Sequence, residues 1–213
     1  MQLIGMLDSP YVRRVAISLQ LLDLRFEHRS LSVFSTFAQF QEINPVVKAP
    51  SLICDDGEVL MDSTLILDYA EALAASRKSL MPATGIPDRQ HALRAIGLAL
   101  AACEKSVQVV YERNLRPAEK FYEPWVSRVT GQLLAAYEAL ESELDRRPLA
   151  VTSDTINQAG VTAAVAWHFT QMMLPDVVDA ANYPTLCKFS SQTESLTEFK
   201  AAPHGPSTYR HGG

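Results

Sequence analysis

The stretch Leu3-Ile4-Gly5-Met6-Leu7-Asp8-Ser9-Pro10-Tyr11-Val12-Arg13-Arg14-Val15 decides how the rest of the chain is read. Its first half is an apolar run long enough for one buried strand. Ser9 and Pro10 then match two helix-start signals, a hydroxyl N-cap and a proline at the first helical position. Val12, Val15, Ala16, Leu19 and Leu22 recur at spacings of three and four, the apolar face of an amphipathic helix. A strand feeding a helix leaves Ser9 at the junction, where backbone N–H groups are unpaired and the helix dipole is positive. Two readings of Ser9 are open: it caps its own helix, or its hydroxyl donates to an anion held at that helix end.

After a turn at Asp23, residues 25–29 read as a second strand, and 34–43 as a short helix stopped by Asn44-Pro45. Residues 51–54 and 59–61 are short apolar runs flanking Asp55-Asp56-Gly57-Glu58, a hairpin signal. A third helix starts at Ser63, with Leu65, Ile66, Tyr69, Ala70 and Leu73 expected on one face. The order is β-α-β-α-β-β-α, which implies parallel pairing early and antiparallel pairing in the hairpin.

Residues 76–88 hold Pro82, Gly85 and Pro87 without helical periodicity and read as a linker. The rest reads as helical. Leu93, Ile96, Leu100, Cys103, Val107 and Val110 mark one long helix. Trp125, Val129, Leu133, Ala136, Leu140 and Leu144 mark a second, with Pro124 in its first turn. Between them, 113–122 is broken at Pro117. Thr155-Ile156-Asn157-Gln158 fits a capping box. It opens a helix with Ala159, Gly160, Ala163, Ala164 and Ala166, apolar nearly all round and therefore central, with Trp167 in the core. Pro184 starts another short helix, and Leu196 with Phe199 suggest a last one. The expected division is a first domain at 1–76, a linker at 77–87, an all-helical domain at 88–202 and a flexible tail at 203–213.

Composition narrows the function. With 213 residues, 47% hydrophobic and 20% charged, the chain is an ordinary globular one of one large or two small domains. A net charge of −5, with Arg13-Arg14 and Arg146-Arg147 as the tightest basic pairs, gives no footprint for nucleic acid or an anionic membrane. Cys54, Cys103 and Cys187 are too sparse for a disulfide framework or structural zinc, and the five histidines form no metal-ligand pair. With no signal peptide and no apolar run of ~20 residues, the chain reads as cytoplasmic.

Two further stretches bear on Ser9. In Asn44-Pro45-Val46-Val47-Lys48-Ala49-Pro50-Ser51, Pro50 directly precedes a strand. A cis Ala49–Pro50 bond presents the Ala49 N–H and C=O edge-on, where an extended peptide can pair with them. The alternative is a trans proline opening a strand. In Asp62-Ser63 the choice lies between a helix cap and a grip on an amino-acid head group. In the second case Asp62 takes an ammonium while Ser63 and its N–H take a carboxylate.

Together these three stretches resemble the thioredoxin-fold half of a cytosolic glutathione S-transferase of the bacterial, serine type. The linker, the helical half and the capping-box helix extend the resemblance over nearly the whole chain. It implies an α/β thioredoxin-like N-terminal domain followed by an all-α helical bundle. It also implies a homodimer in detoxification-type chemistry, with glutathione as co-substrate, a small electrophile as partner and no metal. On that resemblance Ser9 donates its hydroxyl to the glutathione sulfur. Ala49 pairs through its backbone with the cysteinyl unit, with Pro50 cis; Asp62 and Ser63 bind the γ-glutamyl head, and Lys48 reaches the glycine carboxylate. Tyr11 and Tyr111 are candidates for the electrophile pocket, Tyr111 being equally suited to a core or surface role. Two positions depart from the family pattern: Asp62 where Glu is commoner, and Gln158 where Asp is usual. Serine rather than cysteine at position 9 favours addition by glutathione over thiol–disulfide exchange. Other glutathione-dependent chemistry (peroxidase, dehalogenase, isomerase) and a non-catalytic interaction module are the alternatives.

Overall fold

In a computed structural model that describes residues 1–74, 78–83 and 85–210, the chain opens with the expected strand and helix. They are β1 (Gln2–Ile4) and α1 (Pro10–Leu21). The five predicted apolar positions Val12, Val15, Ala16, Leu19 and Leu22 are all fully buried, so the 3–4 spacing identified the packing face correctly. Then come β2 (Glu27–Arg29), α2 (Phe37–Ile43), β3 (Ser51–Ile53), β4 (Val59–Met61) and α3 (Ser63–Ala74). The sheet runs β2-β1-β3-β4, parallel between β1 and β2 and antiparallel elsewhere. This is the thioredoxin-like arrangement expected. Gly57, at φ +91°, makes the hairpin turn.

The helical half comprises α4 (Ile86–Asn114), α5 (Glu123–Arg146), α6 (Gln158–Met173) and α7 (Pro184–Thr193), with α8 (Thr197–Ala201) near the chain end. A short 3-10 turn at Ala118–Lys120 follows Pro117, where the break was expected. α4 packs on α5 and α6, and α7 on α5 and α6. Tyr137 is the hub of this core: its hydroxyl donates to the Ala166 carbonyl (2.9 Å) and lies 2.6 Å from Thr170 Oγ1. Thr170 in turn meets Ser106 at 2.7 Å, so one buried polar network joins α4, α5 and α6. Burial pushes the Tyr137 phenol far above its ordinary ionisation range. Trp167, predicted in the core, stacks edge-on against Tyr137.

Several expectations are corrected. α3 turns Ser63, Ile66, Leu67, Ala70 and Ala74 inward and leaves Leu65 and Leu73 65% and 45% exposed. Apolar residues cover more than half of the helix circumference, with Thr64, Asp68 and Glu71 on the remaining side, so spacing alone did not choose the buried face. In α4 the inward row is Ala92, Ala95, Ile96, Ala99, Ala102 and Cys103, with Leu93 exposed; small residues there let two neighbouring helices approach. Trp125, at the start of α5, is also exposed. The cap of α6 is Asn157, whose side chain accepts from the Gly160 N–H at 3.0 Å, not Thr155. Gln158 is the first helical residue and is buried rather than reaching back as a box partner.

The chain forms two units, Met1–Met81 with Ser195–Gly213, and Pro82–Glu194. Residues 195–202, expected in the helical domain, therefore belong with the first unit, and so do residues 203–210, expected as a loose tail. The cause is burial and pairing. Arg13, itself buried, donates to the Ala202 carbonyl at 2.7 Å, and Tyr209 is 6% exposed. The boundary expected at 76, Thr84 of the linker and residues 211–213 lie outside the described residues. α4 already begins at Ile86, two residues before the expected start at Asp88, with Pro87 in its first turn.

Candidate functional site

Register gathers the three stretches at one end of the sheet. Ile4 pairs with Ser51, and Ser51 pairs with Met61. Because β3 runs against both neighbours, the residues just after Ile4, just before Ser51 and just after Met61 all emerge at the same edge. They carry the Gly5–Ser9 turn, Lys48-Ala49-Pro50, and Asp62-Ser63. Gly5 marks how closely they meet. A methyl group there would lie 2.6 Å from a Val12 methyl and 3.2 Å from the Ala49 Cβ.

Ser9 is the N-cap residue of α1, with Pro10 at the first helical position, yet its side chain makes no capping hydrogen bond. The hydroxyl is half-buried at a helix N-terminus and is not spent on that helix. Beside it, burial pushes the Asp8 carboxyl up, against the opposing pull of His204 and the Ser9 N–H.

The Ala49–Pro50 bond is cis, as expected. The loop before it is held by a residue that the sequence reading used only as a helix stop. Asn44, 5% exposed, accepts from the Val46 N–H at 3.0 Å and donates to Ser51 Oγ at 2.8 Å. Ser51 Oγ donates onward to the Lys48 carbonyl at 2.8 Å. This clamp holds Val47 at φ +52°, a costly conformation for a β-branched residue. The signal was available in the Asn-Pro pair, whose amide side chain favours turns of this kind.

Asp62 also sits at positive φ, +73°, where Asp and Asn are the better-tolerated side chains. It does cap α3, since Oδ1 accepts from the Thr64 N–H at 2.9 Å. Its second oxygen, Oδ2, lies 3.6 Å from Lys48 Nζ, with both side chains about half exposed. Ser63 is buried, and its hydroxyl accepts from Arg14 Nη1 at 3.1 Å; the same nitrogen reaches Thr64 Oγ1 at 3.2 Å. Arg13 and Arg14, which in sequence were only a basic pair, are thus both buried anchors. A hydroxyl whose lone pair already accepts from a guanidinium keeps its proton to donate elsewhere.

The structure therefore brings Lys48, Ala49, Pro50, Asp62 and Ser63 to the sheet end that also carries Ser9. Tyr11 lies half-buried in the first turn of α1. Tyr111 is on α4, in the second unit, and 45% exposed. Among the described residues no group of His, Cys, Asp and Glu could hold a metal, and no helix is long and apolar enough to cross a membrane.

Known proteins resemble the chain in sequence and in fold. Residues 3–78 match the family described as glutathione S-transferase, N-terminal domain. A GST-like protein of Escherichia coli K12, YibF, itself uncharacterized, is 29% identical over 168 residues, 78% of this chain and 80% of that protein. A glutathione transferase family member from Pseudomonas fluorescens Pf-5, solved with bound glutathione, superposes with a TM-score of 0.79 at 28% identity, covering 94% and 97% of the two chains. A glutathione S-transferase from Methylobacterium radiotolerans, in complex with glutathione sulfonate, gives 0.84 at 23% identity over 94% and 93%. The first domain, over residues 3–78, thus matches the glutathione S-transferase N-terminal domain family, and nearly the whole chain shares the fold of solved glutathione transferases.

Proposed function

We propose that this protein is a working glutathione transferase, with Ser9 stabilising the glutathione thiolate for attack on a small electrophile. The observation that carries this reading is the Ser9 hydroxyl, which is left unused by its own helix at the sheet end where Ala49, Asp62 and Ser63 gather. In this reading the Ala49 N–H and C=O pair with the cysteinyl unit. Asp62 takes the γ-glutamyl ammonium, and the Ser63 hydroxyl and N–H take its carboxylate at the α3 N-terminus. Lys48 leaves Asp62 and turns to the glycine carboxylate. That exchange is cheap, because an exposed ion pair is worth only about 0–1 kcal/mol.

The chemistry asks little of the site. A thiol of pKa ~8.5 is a few per cent ionised at neutral pH. Lowering it by about two units takes roughly 2.7 kcal/mol of preference for the anion. One hydroxyl bond to the sulfur together with a helix N-terminus supplies an amount of that order. The thiol proton passes to solvent, and the sulfur lone pair forms the new bond to the electrophilic carbon as one of that carbon's bonds breaks: either the bond to a leaving group, which departs with the electron pair, or a π bond whose electrons move to the far atom and take up a proton from solvent. With serine at position 9 the protein offers no sulfur of its own there for a mixed disulfide, which favours transfer over exchange. Tyr11, half-buried in the first turn of α1, is an aromatic candidate for holding the electrophile. A homodimer accords with the exposed apolar row Met61, Leu65 and Leu73 on β4 and α3.

Calorimetric titration with glutathione tests the reading. Asp62→Asn should weaken binding by roughly 1.5–3 kcal/mol, the worth of a hydrogen bond to a charged group. It should leave the unliganded protein nearly as stable, because Asn tolerates positive φ and also caps helices. A non-catalytic interaction module would give no heat with millimolar glutathione in the wild type, and that result would reject the transferase.

A further inference from the structure

We infer that His28 is a positioning residue for the Ser9 turn, and that residues 203–210 form a strap that fixes the His28 tautomer doing this work. The role of Ser9 itself rests on the transferase reading above. His28 lies on β2, beside Leu3 of β1, and is 8% exposed. Its Nε2 is 2.7 Å from the Gly5 carbonyl, and its Nδ1 accepts from the Tyr209 N–H at 2.9 Å. A carbonyl only accepts, so Nε2 carries the proton; an N–H only donates, so Nδ1 carries the lone pair. The strap thus selects the one neutral tautomer able to hold Gly5.

Gly5 is where that hold matters. It follows β1 directly, turns the chain at φ +134°, and leaves no room for a side chain beside Val12 of α1 and Ala49. Its N–H is tied to the Arg29 carbonyl at 3.1 Å, and His28 ties the other side of the same residue. The four residues between Gly5 and the helix hang from this point, Ser9 among them. A hydroxyl bond to sulfur depends steeply on distance and angle, so a loosened anchor blunts the stabilisation without removing any group.

The strap has its own fastenings, all in the first unit. The Tyr209 ring packs on Phe26 at 4.8 Å, and its hydroxyl donates to Gln20. Ser30 Oγ donates to the Pro206 carbonyl at 2.9 Å, and Arg210 N–H to the Ala201 carbonyl at 2.8 Å. Arg13, one turn after Ser9, donates to the carbonyls of Ala202 and Phe199 where α8 ends. His204 lies near enough to Asp8 to favour its ionised form. The C-terminal segment therefore meets the Ser9 turn and its helix at several separate points.

Two full-length variants separate positioning from mere packing. The amide nitrogen of Gln falls near the place of His Nε2, so His28→Gln keeps a donor for Gly5. The amide oxygen of Asn falls near Nδ1, so His28→Asn keeps only the acceptor for Tyr209. Two readouts are taken: amide exchange at Gly5 and Ser9, and the pH at which bound glutathione ionises. His28→Asn should speed the exchange by about tenfold or more and raise the ionisation pH by about one unit; His28→Gln should stay near wild type on both. Tyr209→Ala keeps the backbone N–H that donates to His28 Nδ1 but removes the ring packed on Phe26 and the hydroxyl bonded to Gln20; the strap then lifts from His28, and both readouts should move in the same direction as Asn. Equal behaviour of Gln and Asn, or unchanged exchange in His28→Asn, would overturn the inference. A wild type that fails to ionise bound glutathione counts against the transferase reading instead, while the exchange comparison still decides the role of His28.

Discussion

Gly5 concentrates the demands of the site in one residue. Its φ of +134° is closed to L side chains, and a methyl group would strike Val12 at 2.6 Å and crowd Ala49 at 3.2 Å. Gly5→Ala should therefore destabilise the protein by about 1–3 kcal/mol, the range for a residue forced into a sparsely populated backbone region. A shift of the urea midpoint with unchanged slope measures it. Nearby, Val47 and Asp62 also sit at positive φ, +52° and +73°, at a higher cost for the β-branched valine than for the aspartate. Each is held by a named device, the Thr64 N–H in one case and the Asn44–Ser51 clamp in the other. Strain so clustered, and so restrained, fits a site whose groups must stand ready before the ligand arrives.

Among the elements, the glycines of the helical half should divide by what surrounds them. A methyl group on Gly160 would meet Ile156 at 2.8 Å, whereas at Gly97 and Gly131 nothing lies within 4 Å. Gly97→Ala and Gly131→Ala should each stabilise by about 0.5–1 kcal/mol through helix propensity. Gly160→Ala should destabilise, because the start of α6 is pressed against Ile156. Thermal unfolding of the three variants checks the opposite signs.

Glu143 of α5 ties that helix to α4. Burial opposes its ionisation, yet bonds from Arg94, Arg146 and His91 hold its carboxyl down to about 2 from an ordinary 4.5. A folded-state value depressed in this way adds stability above the unfolded value, and that stability is lost as pH falls from about 4.5 towards 2. Glu143→Gln should flatten acid unfolding across that window and lower stability at neutral pH, as read from unfolding midpoints against pH.

The element order, the hairpin and the face of α1 were legible because short apolar runs, Asp-Gly and Ser-Pro each have one reading. The faces of α3 and α4 were not. Leu65 and Leu93 are as apolar as the residues that replaced them in the core, and only packing against neighbours decides between them. Asn157 displaced Thr155 as a cap because two capping side chains two residues apart cannot be ranked without the helix start. His28, Asn44 and Arg14 escaped notice because their partners, Gly5, Ser51 and Ser63, are distant in sequence or ordinary in type. The C-terminal segment read as a loose tail because its polar composition gives no sign of Tyr209 docking on Phe26.

At the scale of the whole molecule, the proposed homodimer predicts a solution mass twice that of the chain in sedimentation. Leu65→Asp, on the exposed row of α3, should shift it towards one chain without unfolding the protein. The proposed chemistry turns on one sulfur. Ultraviolet titration of the thiolate with glutathione at saturation, in wild type and Ser9→Ala, reads its ionisation. Wild type should ionise bound glutathione about two units below the free thiol. Ser9→Ala should bind within a few-fold as well, return the ionisation most of the way towards the free value, and lower conjugation by about ten-fold or more. Identical titrations for the two proteins would contradict that expectation and remove Ser9 from the chemistry.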